Sequence, residues 1–225
     1  MNNLILECND LMKKSGTDYV INGGFALEIF ANKVYRPHSD VDVTVFDKDR
    51  KNIVKFLLDY GWQIYEYQPK TLELIPIYSE DDERVLTLRF VWAVKPPCSL
   101  YKIEPKEGEE GVFTWDFLSK EQLNFDYIEV FFKTEQDGNF VCNKDKNIHR
   151  QMDKAILHKD DIPYLAPELA LFLKSPKVYS EHEWHAYKTS VDYKTIVPLL
   201  DNERKDWLVN ALKKIYPDGH GWLKI

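Results

Sequence analysis

Cysteine is scarce in this sequence, and long apolar runs are absent. Cys8, Cys98 and Cys142 are odd in number and widely spaced without a CxxC pair, so neither a disulfide framework nor a zinc ribbon is indicated. No run approaches the length of about 18 apolar residues that spans a membrane. The N-terminal stretch also lacks the apolar core of a signal peptide. These absences predict a soluble protein without a membrane partner, in a reducing, cytoplasmic compartment.

Basic residues are also fewer than acidic residues. The formal net charge is -7 and the sequence pI is about 5.4. Because phosphate neutralisation supplies most of the affinity of a general nucleic-acid binder, this balance argues against a nucleic-acid partner. No Walker A motif and no Gly-x-Ser-x-Gly motif is present, which excludes the usual P-loop and serine-hydrolase signatures. An acidic enzyme that binds a cationic small molecule or a metal-screened nucleotide remains compatible with the composition.

The predicted secondary structure changes near residue 160. Before it, helical and strand patterns alternate, and "RVLTLRFVWAV" predicts a strand while 102–111, "KIEPKEGEEG", predicts a solvated loop. From Ile162 the pattern is helical, with Pro167 at a favoured first-turn position. We therefore expect an α+β fold with a small mixed sheet flanked by helices in 1–160, and a helical region in 161–225 that covers the cleft.

Two aspartates one residue apart interrupt an otherwise β-branched run, "SDVDVTVF". In a strand, residues i and i+2 project from the same face roughly 6.6 to 6.8 Å apart, so Asp40 and Asp42 point the same way. Two such carboxylates repel unless a cation lies between them. Paired Mg²⁺ ions held by carboxylates and substrate phosphates resolve that conflict and support phosphoryl displacement.

A glycine pair precedes the aspartates at the start of a predicted helix. Gly23 and Gly24 have no Cβ and let the backbone approach a ligand closely, while the amides of a helix start favour an anion such as triphosphate. Arg36, in the loop that leads to the aspartates, can add charge-assisted contacts to phosphate, and we add Ser39 to the predicted nucleotide contacts. One strand–helix–strand segment thus combines phosphate donors with metal ligands.

These residues carry a resemblance to a known family. "GGFALE" followed by "RPHSDVD" resembles the signature of the nucleotidyltransferase superfamily that includes DNA polymerase β. More narrowly, the segment resembles the aminoglycoside 2″-adenylyltransferases and lincosamide nucleotidyltransferases, with Phe25 in place of their Trp and Glu28 in place of their Asp. The resemblance implies a nucleotidyltransferase fold, ATP or another nucleoside triphosphate as donor, two Mg²⁺ ions, and metal ligands at Asp40 and Asp42.

Such enzymes also need a third carboxylate on a later strand. Within "NFDYIEVFF", Glu129 lies mid-strand among apolar residues, where an unpaired carboxylate is costly, and Asp126 at the strand start is the alternative. We favour Glu129 as the third metal ligand and the general base.

The predicted reaction is transfer of a nucleoside monophosphate, AMP from ATP, to a hydroxyl of a small molecule. An aminoglycoside- or lincosamide-like antibiotic is the acceptor that the resemblance implies, with antibiotic resistance as the consequence. Two alternatives stay open: a toxin-like nucleotidyltransferase that modifies protein or RNA, and a non-catalytic nucleotide-binding module.

Overall fold

The computed structural model describes residues 2–175 and 183–223. Helices and strands alternate along most of this length. In chain order the elements are α1 (Asn3–Ser15), β1 (Tyr19–Ile21), α2 (Gly23–Ala31), β2 (Asp42–Phe46), α3 (Arg50–Asp59), β3 (Gln63–Gln68), β4 (Glu73–Ile77), β5 (Phe90–Val94), β6 (Tyr101–Pro105), β7 (Phe113–Phe117), β8 (Tyr127–Gln136), β9 (Asn139–Val141), β10 (His149–Gln151), α4 (Met152–Ala155), β11 (Ile156–Lys159), β12 (Ile162–Leu165), α5 (Pro167–Lys174), α6 (Glu183–Ile196) and α7 (Asn202–Ile215).

The chain divides into two units that alternate along the sequence. Unit 1 comprises Met1–Ile21 and Pro37–Lys133, and unit 2 comprises Asn22–Arg36 and Thr134–Ile225. The units describe packing and not independent folding, so the expected domain division into 1–160 and 161–225 stays a prediction.

Unit 1 is built on a mixed sheet. Its strands follow the order β1-β2-β8-β5-β3-β4-β7-β6, in which β2 and β8 are parallel and the other paired neighbours antiparallel. The parallel pair lies in the core because its residues are β-branched or aromatic; Val43, Val45, Ile128, Val130 and Phe132 are buried. Helices α1 and α3 belong to the same unit and pack against each other.

The sheet of unit 1 curls back on itself. Tyr101 on β6 lies 4.8 Å from Tyr127 on β8, measured between ring centroids, although four strands separate β6 from β8 in the sheet order. Such curling buries the aromatic side chains on the concave face against each other. The result is an aromatic cluster that begins beside the parallel strand pair.

Local sequence signals explain where the first helix begins and ends. The side chain of Asn2 accepts a hydrogen bond from the amide of Leu4 at 2.9 Å, which caps the start of α1. Gly16 ends the helix in the left-handed conformation, with φ of 67°.

Unit 2 combines helices with two small strand pairs. β9 pairs with the end of β8 and with β10, and β11 pairs with β12. Helix α2 packs against α5, α6 and β12, and it is buried along nearly its whole length. An almost entirely apolar helix such as α2 needs this enclosure by neighbouring elements.

The α+β class is confirmed, and the sheet is larger than expected. The predicted loop over 102–111 begins with strand β6, which contains lysine, glutamate and proline and lies at the sheet edge. Such residues are typical of edge strands, so composition alone conceals the strand. The predicted single strand over 84–94 is shorter, because Asp82 caps a short 3-10 helix, Glu83–Leu86, before β5 begins.

Among the described residues, no helix has the length and apolar character needed to cross a membrane.

Candidate active site

Three carboxylates meet on the parallel strand pair of unit 1. Asp40, Asp42 and Glu129 each offer a ligand oxygen, and these oxygens lie within 4.8 Å of one another. All three side chains are half-buried, so they reach solvent while remaining partly shielded from it. The two predicted aspartates and the favoured third carboxylate therefore come together in one cluster.

The sheet itself positions the cluster. Asp42 is the first residue of β2, and its register partner on β8 is Glu129. The amide of Glu129 donates a hydrogen bond to the carbonyl oxygen of Val41 at 3.0 Å. Asp40 lies just before the strand, where the hydroxyl of Ser39 donates to its Oδ1 at 3.1 Å. The predicted strand thus starts two residues later than expected, and the carboxylates remain adjacent.

Electrostatics make the cluster strained without a cation. Burial raises the pKa of Glu129 well above its usual range, and the charges of Asp42 and Asp40 raise it further. A hydrogen bond from the hydroxyl of Tyr127 to Glu129 Oε1, at 3.0 Å, partly offsets this rise in the pKa of Glu129. A bound cation would remove the repulsion that these groups exert on each other.

Tyr127 is a site residue that the sequence reasoning missed. It is fully buried and lies two residues before Glu129 on β8. The period of two along a strand puts both side chains on one face, and that signal was available from the sequence. Trp92, the register partner of Glu129 on β5, could not be found in this way because strand register is not visible in one sequence.

Asp126, the alternative third carboxylate, has a different role. One of its oxygens accepts the amide of Ser99 at 2.7 Å, and the other lies 3.5 Å from the Cys98 sulfur. The side chain is buried, and it holds the loop before β6. Asp126 therefore stabilises the loop before β6, whereas Glu129 is the carboxylate that lies close to Asp40 and Asp42.

The glycine pair lies in unit 2, at the start of α2. Gly23 has φ of 63°, a left-handed conformation that side chains rarely adopt. Asn22 precedes it with an extended backbone, and its carbonyl oxygen accepts the amide of Ala26 at 3.2 Å. The turn into the helix therefore requires glycine at position 23 for conformational reasons. The predicted contacts of Gly23 and Gly24 with a nucleotide stay predictions.

Arg36 is also in unit 2, where it forms a buried ion pair. Its Nε and Nη2 donate to the two carboxylate oxygens of Asp192 at 2.7 and 2.9 Å. The hydroxyl of Tyr35 adds a third hydrogen bond to Asp192 at 2.9 Å, and Lys174 lies 3.4 Å away. Burial alone would raise the pKa of Asp192, yet its cationic and hydrogen-bonding partners hold that pKa below its usual range. The predicted phosphate contact of Arg36 stays a prediction.

Glu28 orders the same loop. Its Oε1 accepts the amide of Tyr35 at 3.0 Å, which ties the end of α2 to the residues that follow. Asn32 ends the helix in the left-handed conformation, with φ of 52°. Glu28, the acidic residue of the motif, therefore has a structural role in this chain: it stabilises the loop after α2.

The carboxylate cluster fits a hard divalent cation. Mg²⁺ prefers carboxylate oxygens and is commonly held by one or two carboxylates together with substrate phosphates. Asp40, Asp42 and Glu129 supply such oxygens on one face, and their mutual repulsion is relieved by positive charge. The donor set therefore matches magnesium in kind and in charge.

Comparison with known proteins agrees with this geometry. The model of the aminoglycoside-2″-adenylyltransferase family matches residues 4–79, less than half of the chain, a segment that contains Asp40 and Asp42. The lincosamide antibiotic adenylyltransferase LnuA, solved with lincomycin bound, superposes with a TM-score of 0.52 at 13% identity, over 87% of this chain and 98% of LnuA. The antibiotic-resistance factor ANT(2″)-Ia superposes with a TM-score of 0.51 at 11% identity, over 96% of this chain and 92% of that protein. A search of curated protein sequences found no significant match.

The fold and the matched segment point to one class: the chain has the fold of the nucleotidyltransferases on which it superposes, and residues 4–79 are similar to a family of such enzymes. Within that class, the matched residues confirm the predicted resemblance to the aminoglycoside 2″-adenylyltransferases.

Proposed function

We propose that this protein transfers AMP from ATP, with Mg²⁺, to a hydroxyl of a small molecule, an aminoglycoside- or lincosamide-like antibiotic. The observation that carries the proposal is the cluster of Asp40, Asp42 and Glu129, whose ligand oxygens lie within 4.8 Å of one another. The relatives support the acceptor class, since the family name specifies aminoglycosides and LnuA was solved with lincomycin.

Each residue of the cluster has a defined task in this reaction. Asp40 and Asp42 hold the metal ions, which, when bound, neutralise charge on the donor phosphates as pyrophosphate leaves. Glu129 takes the proton of the acceptor hydroxyl at a carboxylate oxygen. Tyr127 keeps the side chain of Glu129 oriented through the 3.0 Å hydrogen bond.

The donor nucleotide is held, in this proposal, by the start of α2 and the loop before β2. The amides of Gly23 and Gly24 and the hydroxyl of Ser39 contact the triphosphate. The guanidinium of Arg36 adds a charge-assisted contact to phosphate. Arg36 keeps the loop between α2 and β2 in place through its buried ion pair with Asp192. Preorganised donors of this kind lower the barrier because they need no rearrangement as charge develops.

Calorimetric titration tests the donor half of the proposal. ATP and the other nucleoside triphosphates are titrated with and without Mg²⁺ into the wild type and into Asp42→Asn. We expect metal-dependent binding in the wild type and its loss in the variant. Absence of binding for every triphosphate, also in the presence of candidate acceptors, would contradict the proposal.

Pyrophosphate release then identifies the acceptor. Aminoglycosides and lincosamides are screened with the preferred triphosphate and Mg²⁺. Pyrophosphate release that depends on one of these antibiotics supports the proposed acceptor class. Release only with protein or RNA would replace the small-molecule acceptor by the toxin-like alternative.

A further inference from the structure

Trp92 lies beside the carboxylate cluster, on the strand next to Glu129. It is the direct register partner of Glu129 in the antiparallel pairing of β5 with β8. Such partners project from the same face of a sheet, with their Cβ atoms about 4.5 to 5.5 Å apart. The Trp92 ring also meets the Tyr127 ring at 5.3 Å between centroids, at an interplanar angle of 86°. Both rings are buried, so they border the Glu129 side chain on its inner side.

Stacking in the core of unit 1 fixes the direction of the indole. The Trp92 ring stacks on Tyr67 at 5.0 Å, with an interplanar angle of 12°, and on Tyr101 at 4.9 Å, with an angle of 21°. A large ring packed in this way in a dense interior has little freedom to turn. The orientation of the indole N–H bond is therefore set by packing.

This N–H group is a buried donor with an unmet hydrogen bond. No acceptor in 2–175 or 183–223 completes a hydrogen bond to the Trp92 indole. Burial and the charges of the two aspartates raise the pKa of Glu129, whereas Tyr127 and Trp92 lower it, so the indole donor faces that carboxylate. The terminal torsion of a glutamate is broad, and a small turn of the carboxylate would therefore satisfy the donor.

We propose that Trp92 is a positioning residue for Glu129, and that its indole N–H and the Tyr127 hydroxyl together hold the inner side of the carboxylate. This inference rests on the function proposed above, in which Glu129 binds metal and takes the proton of the acceptor hydroxyl. With two donors on the inner side, the outer lone pairs of the carboxylate are left for the cation and the acceptor. Partners of this kind keep a ligating side chain in one orientation.

The indole N–H signals test this contact without metal or nucleotide. The chain has six tryptophans, and Trp92→Phe keeps a ring in the stack while it removes one signal from the ¹H–¹⁵N spectrum, which assigns that signal to Trp92. Trp62→Phe assigns a control in the same way, because Trp62 is equally buried in unit 1 and packs on Phe125 at 5.6 Å. In chelator, we expect Glu129→Gln to move the Trp92 signal and to leave the Trp62 signal in place.

The comparison of the wild type with Glu129→Gln needs no change at Trp92. It therefore decides the question even where Trp92→Phe loses stability. Movement of no indole signal in Glu129→Gln would overturn the inference.

Metal affinity and kinetics test the consequence for the site. Loss of a hydrogen-bonding partner of a metal ligand commonly costs about 10- to 100-fold in metal affinity or activity. We expect Trp92→Phe to bind Mn²⁺ about 10-fold more weakly by calorimetry and to lose a similar factor in kcat. The KM for ATP should stay unchanged, because Trp92 is not among the proposed nucleotide contacts. Trp62→Phe should match the wild type in all three, and so should Trp92→Phe if its role is packing alone, which would contradict the inference.

A double-mutant cycle shows whether Trp92 acts through Glu129. In Glu129→Gln the side chain at this position no longer offers an anionic ligand, so adding Trp92→Phe should cause little further loss of Mn²⁺ affinity. Equal losses in the wild-type and Glu129→Gln backgrounds would mean that Trp92 acts independently of Glu129, and the inference would fail.

The same measurements keep this inference separate from the proposed function. If the wild type transfers AMP and Trp92→Phe is indistinguishable from it, the positioning role fails while the nucleotidyl transfer stands. If the wild type transfers no nucleotide but its Mn²⁺ affinity depends on Trp92 through Glu129, the reaction fails and the positioning role stands.

Discussion

Asp42 and Glu129 are direct partners across the parallel strands β2 and β8. Their backbones are tied by sheet hydrogen bonds, among them the 3.0 Å bond from the Glu129 amide to Val41. The two backbones therefore cannot move apart to relieve the repulsion between the carboxylates without disturbing the buried core of unit 1. Groups held in this way on a rigid element are well suited to a fixed metal geometry.

Replacing Asp40 by alanine should abolish activity without unfolding the protein. The variant loses a metal ligand, and a loss of several kcal/mol of charge stabilisation corresponds to a fall in kcat of about a thousand-fold or more. Asp116→Ala, an exposed carboxylate on β7, is the matched control and should retain wild-type activity. Steady-state pyrophosphate release measures both. Activity above a tenth of the wild type in Asp40→Ala would exclude Asp40 from the metal site.

Glu129→Gln should make the metal-free protein more stable and less active. The amide removes the charge that Asp40 and Asp42 oppose and can still accept the Tyr127 hydroxyl. Relief of about 1 kcal/mol raises the Tm by about 2–4 °C in a chain of this size. Thermal unfolding in a chelator measures the shift, and kcat should fall by about 10²- to 10⁴-fold with loss of the base. A lower Tm in the chelator would mean that Glu129 is not under electrostatic strain.

Removal of Asp192 should destabilise unit 2 strongly. Asp192 is fully buried and accepts both guanidinium donors from Arg36, so Asp192→Ala leaves a buried cation without its partner. Breaking such a pair costs about 3–5 kcal/mol. Asp59→Ala removes a partner from the exposed pair with Lys55 and should cost far less stability. Urea unfolding distinguishes the two, and similar losses for both variants would contradict the buried network.

Gly23→Ala tests whether the helix start serves only the fold or also the nucleotide. Gly16 is the reference, because it has φ of 67° and open space around it, so Gly16→Ala measures backbone strain alone. Both variants should lose about 1–2 kcal/mol of stability. Only Gly23→Ala should weaken Mg²⁺-dependent ATP binding. Unchanged ATP affinity in Gly23→Ala would restrict Gly23 to its conformational role.

Stability should decline in acid through Glu203. Hydrogen bonding to Arg150 lowers the pKa of Glu203 to about 2, from an ordinary value of 4.5. A carboxyl whose folded-state pKa is depressed contributes stability that is present above its unfolded pKa and is lost as pH falls through the folded value. The wild type should therefore lose part of its free energy of unfolding between about pH 4.5 and pH 2. Glu203→Gln should show a shallower decline in that window, and identical acid profiles would contradict the assignment.

The sequence predicts which residues supply the chemistry of this site better than it predicts how the fold brings them together. Asp40 and Asp42 are found because strand periodicity operates over two residues. Glu129 follows from the cost of a carboxylate in an apolar strand, yet its pairing with Asp42 depends on strand register. Local patterns do not encode register between strands so far apart in the chain.

Long-range partners remained hidden for the same reason. Arg36 and Asp192 are far apart in sequence, and neither position carries a local signal for the other. The aromatic cluster of unit 1 depends on a curled sheet that brings β6 back to β8, and the edge strand β6 has loop-like composition. Periodicity shows which face a side chain takes, while the partner across the fold is set by topology.

The antiparallel pairing of β1 with β2 has a consequence for how such proteins diversify. Ile21 and Val43 are register partners, so the two ends of the intervening segment are fixed side by side by main-chain hydrogen bonds. The pairing of the two strands already closes that loop. Each doubling of the loop length therefore adds an entropic cost of only about 0.6 kcal/mol. The exposed turn at 32–34 can therefore accept insertions while Asp42 stays where the strands hold it.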